Sequence, residues 1–241
     1  KIYSELNLKT GRLFLSSTSE FYLTGFNKGD YKQKANSNYS VLSIRDSNQI
    51  VGFDVFGLVR FQKSRQSMVM HHYLSTVKSS IQNSIPSLYT DYLVGGAFSF
   101  GKLQWQNQFL YQKIQDYVYF DQFGNVNQLT GDIELLAGTT GLEMKFEHLF
   151  MESSLTYQWN KRIKEYSLPE WVNSTVISTN WPLFDNRLHV NGGLKALFFS
   201  GYNAPGYIPF YNAGYSQGMH KFDDYFQLDA FVDLKIKTVT V

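Results

Sequence analysis

The segment Phe226–Lys237, F-Q-L-D-A-F-V-D-L-K-I-K, alternates apolar and polar residues with a period of two. Successive side chains of a β-strand point to opposite faces, so one face of this strand is apolar and the other is polar. The apolar face comprises Phe226, Leu228, Ala230, Val232, Leu234 and Ile236. The polar face comprises Gln227, Asp229, Asp233, Lys235 and Lys237, interrupted by Phe231. Repeated in segments of ten or more residues, this pattern is typical of a transmembrane β-barrel.

The composition favours the same class of protein. The 241 residues include 17 Tyr and 20 Phe, and only 17% are charged, against roughly a quarter in ordinary soluble domains. The sequence contains no apolar run of about 18 residues, which excludes helical membrane spans. The net charge of +2 and the lack of a basic cluster give no indication of a nucleic-acid partner. The absence of cysteine excludes disulfides and thiolate metal sites.

The alternation continues along the chain and predicts an all-β, antiparallel up-and-down transmembrane β-barrel with about twelve strands. The predicted strands are Ile2–Leu8, Arg12–Gly25, Tyr31–Arg45, Ile50–Gln62, Ser67–Ser80, Thr90–Ser99, Lys102–Gln112, Leu129–Phe146, Met151–Arg162, Trp171–Trp181, Arg187–Ser200 and Tyr225–Val241. In Lys102–Gln112, four apolar residues oppose four glutamines, whereas the facing of Trp171–Trp181 stays open.

The lengths of the connections give a second signal, because bacterial barrels have short periplasmic turns and longer extracellular loops. The tight connections are Gly25–Asp30, Lys63–Gln66, Phe100–Lys102, Glu147–Phe150 and Pro182–Arg187. The longer ones are Ser80–Tyr89, Ile114–Gln128, Lys161–Glu170 and Ser200–Asp224, the last being rich in Gly, Pro and aromatic residues and expected to form an ordered lid. On this assignment the short turns Lys9–Arg12 and Asp46–Gln49 fall on the extracellular side and break the rule.

Several segments resemble one family. They are G-F-N-K-G-D-Y (Gly25–Tyr31), S-I-P-S-L-Y-T (Ser84–Thr90), P-L-F-D-N-R-L (Pro182–Leu188), the G-Y-N-A-P loop and the closing F-V-D-L-K-I-K. Together they are similar to the porin family of Bacteroidetes. The resemblance implies a β-barrel in the bacterial cell outer membrane with a channel role, and it provides no catalytic or binding residue.

The chain is predicted to be one barrel domain, residues 1–241. It begins inside a strand pattern without a signal peptide and stops without the terminal aromatic residue usual in such barrels. We therefore expect the C-terminal part of a longer chain, lacking an N-terminal portion and a few C-terminal residues.

No pattern of catalytic or metal-binding residues stands out. His71 and His72 are adjacent on a predicted strand, so they point to opposite faces and cannot bind one ion together. His189 is not accompanied by the pattern of Ser and Asp residues that a histidine acting as a general base would need. The loop carboxylates, which are Asp116, Asp121, Asp223 and Asp224, lack the spacing of a calcium loop. We therefore predict no enzyme activity, no catalytic or metal site and no cofactor, and we expect the tryptophans to lie at the headgroup level.

Function is then expected to reside on the inward polar face. The predicted lumen-lining residues are Gln104, Gln106, Gln108, Arg187, His189, Lys195, Asp229, Asp233, Lys235 and Lys237. Such a lining indicates a porin for passive diffusion of small hydrophilic solutes, with outer-membrane lipid as its surroundings. Two alternatives remain: a plugged barrel that docks other outer-membrane or periplasmic proteins in a secretion or surface-lipoprotein complex, and an enzyme built on a barrel.

Overall fold

The computed structural model describes residues 1–24, 28–46, 49–64, 87–121, 123, 126–160, 167–184, 187–208, 213–215, 221–236 and 239–240. In these ranges the regular structure consists of sixteen β-strands. No helix in the described ranges is both long enough and apolar enough to span a membrane.

Twelve of the strands form one antiparallel sheet, and each pairs with its neighbours in chain order. They are β1 (Ile2–Thr10), β2 (Leu13–Phe21), β3 (Tyr31–Asp46), β4 (Gln49–Ser64), β5 (Ser87–Phe100), β6 (Leu103–Gln115), β9 (Ile133–Lys145), β10 (Leu149–Asn160), β11 (Trp171–Leu183), β12 (Leu188–Phe199), β15 (Tyr225–Ile236) and β16 (Val239–Thr240). All but β16 have 9 to 16 residues, and about 9–11 suffice to span a bilayer. The predicted all-β antiparallel fold is confirmed.

Two predictions about the strands need correction. The predicted strand Ser67–Ser80 lies outside the described residues, and residues Val51–Ser64 of β4 pair directly with β5, so the described sheet has no strand between them. The predicted final strand Tyr225–Val241 is not continuous, because β16 turns back and pairs with the last two residues of β15. Every other predicted strand overlaps a strand of the sheet, with bounds that differ by a few residues.

The direct pairing of β4 with β5 also corrects the sides of the early connections. Residues 11–12, 47–48, 101–102, 146–148 and 184–187 join strands at one end of the sheet, here called the turn end. Residues 22–30, 65–86, 116–132, 161–170 and 200–224 join strands at the other, here called the loop end. The placement of Gly25–Asp30 and Lys63–Gln66 with the short turns was wrong, because the extra predicted strand inverted the direction of every strand before it. Once corrected, Lys9–Arg12 and Asp46–Gln49 fall among the short turns.

Two of the short turns depend on glycine. Gly11 has φ +54° and Gly101 has φ +58°, in the left-handed region that residues with a Cβ rarely adopt. Both lie in two-residue connections between long antiparallel strands, β1–β2 and β5–β6. Tight hairpins of this length favour positive φ because it matches the twist of the strands.

The register of the pairs separates an apolar face of the sheet from a polar face. Leu194 lies opposite Ile177 on β11 and Ala230 on β15, whereas Lys195 lies opposite Asp229. Because directly paired residues share a face, the facing of β11 is settled: Trp171, Ile177 and Trp181 point to the apolar side.

The apolar face is extensively exposed. Leu6, Phe109 and Val232 are 70%, 65% and 67% exposed. An apolar surface of this extent is unfavourable in water and is suited to hydrocarbon.

The exception to the alternation in β15, Phe231, is explained by its partner. Phe231 pairs with Gly193 of β12, and a Cβ placed on Gly193 would approach the Phe231 ring to 2.7 Å and the Ile177 carbonyl oxygen to 2.5 Å. The ring therefore lies over a residue without a side chain. Phe56 covers Gly95 in the same way, where a Cβ would meet the ring at 2.5 Å. Both glycines permit a close approach that alanine would obstruct.

A buried hydrophobic cluster lies at the loop end. It contains Ile114, Leu129 and Ile133, against which Tyr89, Tyr117 and Tyr119 pack. Ile114 and Ile133 pair with each other on the polar face, but here that face is covered by apolar residues of the connection between β6 and β9. The sequence pattern did not indicate this covering.

The same connection carries two short strands, β7 (Val118–Phe120) and β8 (Val126–Gln128). They join β13 (Gly206–Ile208) and β14 (Ala213–Tyr215) from the connection between β12 and β15, through the pair Tyr215–Phe120. The result is a small four-stranded sheet at the loop end, here called the cap. The expected ordered lid is thus present in the described part of residues 200–224, and it is shared with a second loop.

Candidate functional site: the polar face

Most of the predicted lining residues lie on the polar face, on three strands. Gln104, Gln106 and Gln108 are on β6, His189 and Lys195 on β12, and Asp229, Asp233 and Lys235 on β15. Arg187 lies in the turn before β12, where its backbone N–H donates to the backbone carbonyl oxygen of Phe184 at 3.1 Å. Lys237 lies outside the described residues.

The β12–β15 part of this face has mixed charge. His189 pairs with Lys235, Asn191 with Asp233, and Lys195 with Asp229. The Asn191 amide donates to Asp233 Oδ2 at 3.2 Å. Two of the three pairs, Asn191–Asp233 and Lys195–Asp229, therefore place complementary groups opposite each other across the strands, which favours their pairing.

Three of these predicted residues line a cavity of about 690 Å³ at the turn end. His189, Asp233 and Lys235 meet residues of β11 and of the turn between β9 and β10 there. In that turn His148 Nδ1 lies 3.0 Å from the carbonyl oxygen of Asn180, and its ring stacks on Trp181 at 4.7 Å. Its lining includes both signs of charge, with Lys145 and Lys235 beside Glu147 and Asp233.

The three glutamines of β6 line a second cavity of about 260 Å³, here called the amide cavity. Its other polar-face residues are Ala97, Ser99, Thr139, Gly141, Glu143, Glu152 and Ser154. They come from β5, β9 and β10, the strands next to β6 and beyond it. Amide and hydroxyl groups predominate here, in contrast to the charged turn-end cavity.

Sequence reasoning missed an ion pair on this face. Arg60 Nη2 contacts Asp91 Oδ2, and the Asp91 side chain is only 4% exposed. Gln112 Nε2 also donates to Asp91 Oδ1 at 3.0 Å. The alternation places each residue on the polar side of its strand, but their contact depends on the β4–β5 register, which the extra predicted strand obscured.

Two of the four predicted loop carboxylates accept hydrogen bonds from backbone groups of their own loops. Asp121 Oδ1 accepts from the Phe123 N–H at 2.9 Å, and Asp224 Oδ1 accepts from the Gly201 N–H at 2.8 Å. Asp132 pairs with Lys113 at 2.6 Å, and the hydrogen bond from Lys113 lowers the pKa of the Asp132 carboxyl. Within the described ranges no group of three or more His, Asp or Glu residues could hold a metal ion. His71 and His72 lie outside those ranges.

Aromatic rings border the apolar face. Near the loop end, the ring centroid of Tyr92 lies 6.2 Å from that of Phe61 and 6.3 Å from that of Tyr111. The ring centroids of Tyr157 and Trp171 are 4.6 Å apart. At the opposite end, Trp105 lies near the start of β6, and Trp181 lies near the end of β11. Two bands of rings at the margins of an apolar surface are typical of a β-barrel at the two membrane interfaces.

Comparisons with known proteins agree with this architecture. A family model described as "Putative porin" matches residues 2–241. A search of curated proteins finds no match. Among solved structures, the chain is similar to one titled "Copper transporter OprC", with a TM-score of 0.62 and 10% sequence identity. The match covers 98% of this chain and 39% of that chain, so this chain spans about two fifths of its length, and the likeness concerns the fold.

Proposed function

Because the chain belongs to the Putative porin family and forms a β-barrel wall of the outer membrane, we propose that its polar face lines a pore for passive diffusion of small hydrophilic solutes. The observation that carries the proposal is the register, which keeps polar residues on one face and apolar residues on the other across the sheet. In hydrocarbon every backbone polar group needs a partner, and strands satisfy this requirement only in a closed barrel. The polar face of such a barrel surrounds water.

Diffusion through this pore requires no covalent chemistry, so we propose that the protein is not an enzyme. Selection among solutes depends on the width of the pore, its lining charge and the loops at its mouth. The assignment to Bacteroidetes stays a prediction from the resemblance.

The lining charge leads to a testable expectation for ion selectivity. The described polar face carries similar numbers of both signs: cations at Lys9, Lys32, Lys34, Arg60, Lys145, Lys195 and Lys235, and carboxylates at Glu5, Glu20, Asp54, Asp91, Glu143, Glu152, Asp229 and Asp233. A mixed wall focuses the field less than a ring of one sign. Because the two signs nearly balance, we expect a nearly non-selective pore.

The measurement is the reversal potential of the protein in planar bilayers under a salt gradient. We expect a steady conductance with a small reversal potential that shrinks at high salt, because charges are screened beyond about 10 Å at 0.1 M. Strong cation selectivity would contradict this description of the lining.

The cap supports a second candidate function, a plugged barrel that docks other outer-membrane or periplasmic proteins. The hydrophobic cluster of Ile114, Leu129 and Ile133, which lies beside the cap strands, covers the polar face at the loop end of β5, β6 and β9. In that case the pure protein would show no steady conductance.

A further inference from the structure

We propose that the amide cavity is a binding subsite for a neutral polyhydroxylated solute, such as one unit of a sugar. The inference rests on the proposed pore and specifies the chemical class of solute that one part of its wall recognises.

The cavity arises from alternating long and short side chains on neighbouring strands. Gln106 lies between Ala97 of β5 and Gly141 of β9, and Gln108 lies between Gly95 and Thr139. Small neighbours leave the Gln106 side chain room to face the cavity rather than an adjoining side chain, whereas beside Gln108 the Phe56 ring covers Gly95. Gln104, Gln106 and Gln108 follow one another at every second position of β6, so their amides form a row along the strand.

These three amides are free to bind a solute. In the described part of the chain, no side-chain hydrogen bond joins Gln104, Gln106 or Gln108 to another residue. Other glutamines on the sheet differ: Gln112 donates to Asp91, and Gln227 donates to Asp229. Each free amide offers two N–H donors and one carbonyl acceptor. A sugar hydroxyl both donates and accepts, so a row of free amides matches several hydroxyls at once.

The charges around the cavity disfavour an anion. Glu143 and Glu152 lie directly opposite each other on β9 and β10, and Lys145 forms an ion pair with Glu143. The second carboxylate, on Glu152, repels anions but accepts hydrogen bonds from hydroxyl groups. This distinguishes the amide cavity from the turn-end cavity, where Lys145, His189 and Lys235 are present.

Gly141 provides a means of filling the cavity without strain. A Cβ on Gly141 would meet no atom nearer than 4.0 Å, and Gly141 is not among the residues with positive φ. Its missing side chain therefore contributes open space on the polar face. A larger residue there should occupy the subsite while leaving the strand pairing intact.

The test measures how maltose reduces the potassium chloride current through the pore in planar bilayers. We expect the wild-type current to fall in a saturable way as maltose is added. Gly141→Leu and Gln106→Leu should each raise the half-saturating maltose concentration about tenfold or more, the effect of losing one or two hydrogen bonds. Gln227→Leu, the same substitution on the polar face of β15, is the matched control and should leave that concentration unchanged.

The possible failures are distinguishable. A steady current that maltose does not reduce saturably, or an equal response of all three variants, would overturn the subsite while leaving the pore intact. Absence of any steady wild-type current would overturn the pore and with it the subsite. If Gly141→Leu fails to fold, the response of Gln106→Leu to maltose alone tests the subsite. This variant replaces one side chain by another of similar length and therefore adds no bulk to the strand.

Discussion

At the scale of single residues, the medium on each side of the sheet determines what each position tolerates. Leu234 pairs with Val190 on the apolar face, and its neighbour Lys235 pairs with His189 on the polar face. A slip of the register by one residue would exchange the two faces and expose charge to hydrocarbon. Adjacent residues of β15 should therefore respond very differently to similar changes in polarity.

Leu234→Arg is expected to destabilise the folded protein by roughly 2–4 kcal/mol, the cost of an arginine facing lipid near the bilayer midplane. Lys235→Gln should be nearly neutral, because its side chain remains polar on the polar face. The free energy of unfolding from lipid vesicles in urea measures both variants. Equal destabilisation would show that the facing of β15 is misassigned.

The facing of residues within strands could be predicted from the sequence because a strand has a fixed period of two. Gln106, Lys195 and Asp233 all lie on the expected face. The exceptions could not be predicted, since they depend on contacts between distant segments. Phe231 requires Gly193 beneath it, and Ile133 requires the loop that covers it.

At the scale of elements, one extra predicted strand had a larger effect than any boundary error. Residues 67–80 alternate well enough to predict a strand and lie outside the described residues, but the pairing of β4 with β5 leaves no place for a strand between those two in the sheet. Alternation reports only that a segment can be amphipathic, whereas the sheet order depends on which edges pair. The two short turns that broke the length rule were the visible sign of the error.

The cap allows a test at the same scale. Phe120 is 1% exposed and Phe123 is 79% exposed, in the same connection. Phe120→Ala should destabilise the cap locally by about 3–5 kcal/mol, as is usual for removing a buried aromatic ring. Phe123→Ala, a matched control, should have no such effect.

The rate at which an added protease cleaves residues 116–132 in the folded protein measures this difference. Cleavage should be faster in Phe120→Ala and unchanged in Phe123→Ala, because proteolysis follows the population of the locally open form. Equal rates in the two variants would contradict the description of the cap as a packed structure.

At the scale of the whole molecule, the fold class follows from the solvent. Hydrocarbon on one side and water on the other require the repeated alternation, so the all-β outer-membrane class was predictable from the sequence. The two edges of the described sheet are β1 and β16, and their backbone groups need partners in the membrane. The cavities were not predictable, because each combines residues from several strands whose register the sequence does not state.

If the polar face lines a water-filled pore, only its residues are reached by water-soluble reagents, and the absence of cysteine permits a direct test with single introduced thiols. Leu194 and Lys195 are neighbours on β12 that point to opposite faces. The measurement is the conductance of Lys195→Cys and Leu194→Cys in planar bilayers before and after addition of a charged, water-soluble thiol reagent. We expect a steady conductance that the reagent changes in Lys195→Cys and leaves unchanged in Leu194→Cys. Absence of conductance, or a response of Leu194→Cys alone, would contradict it.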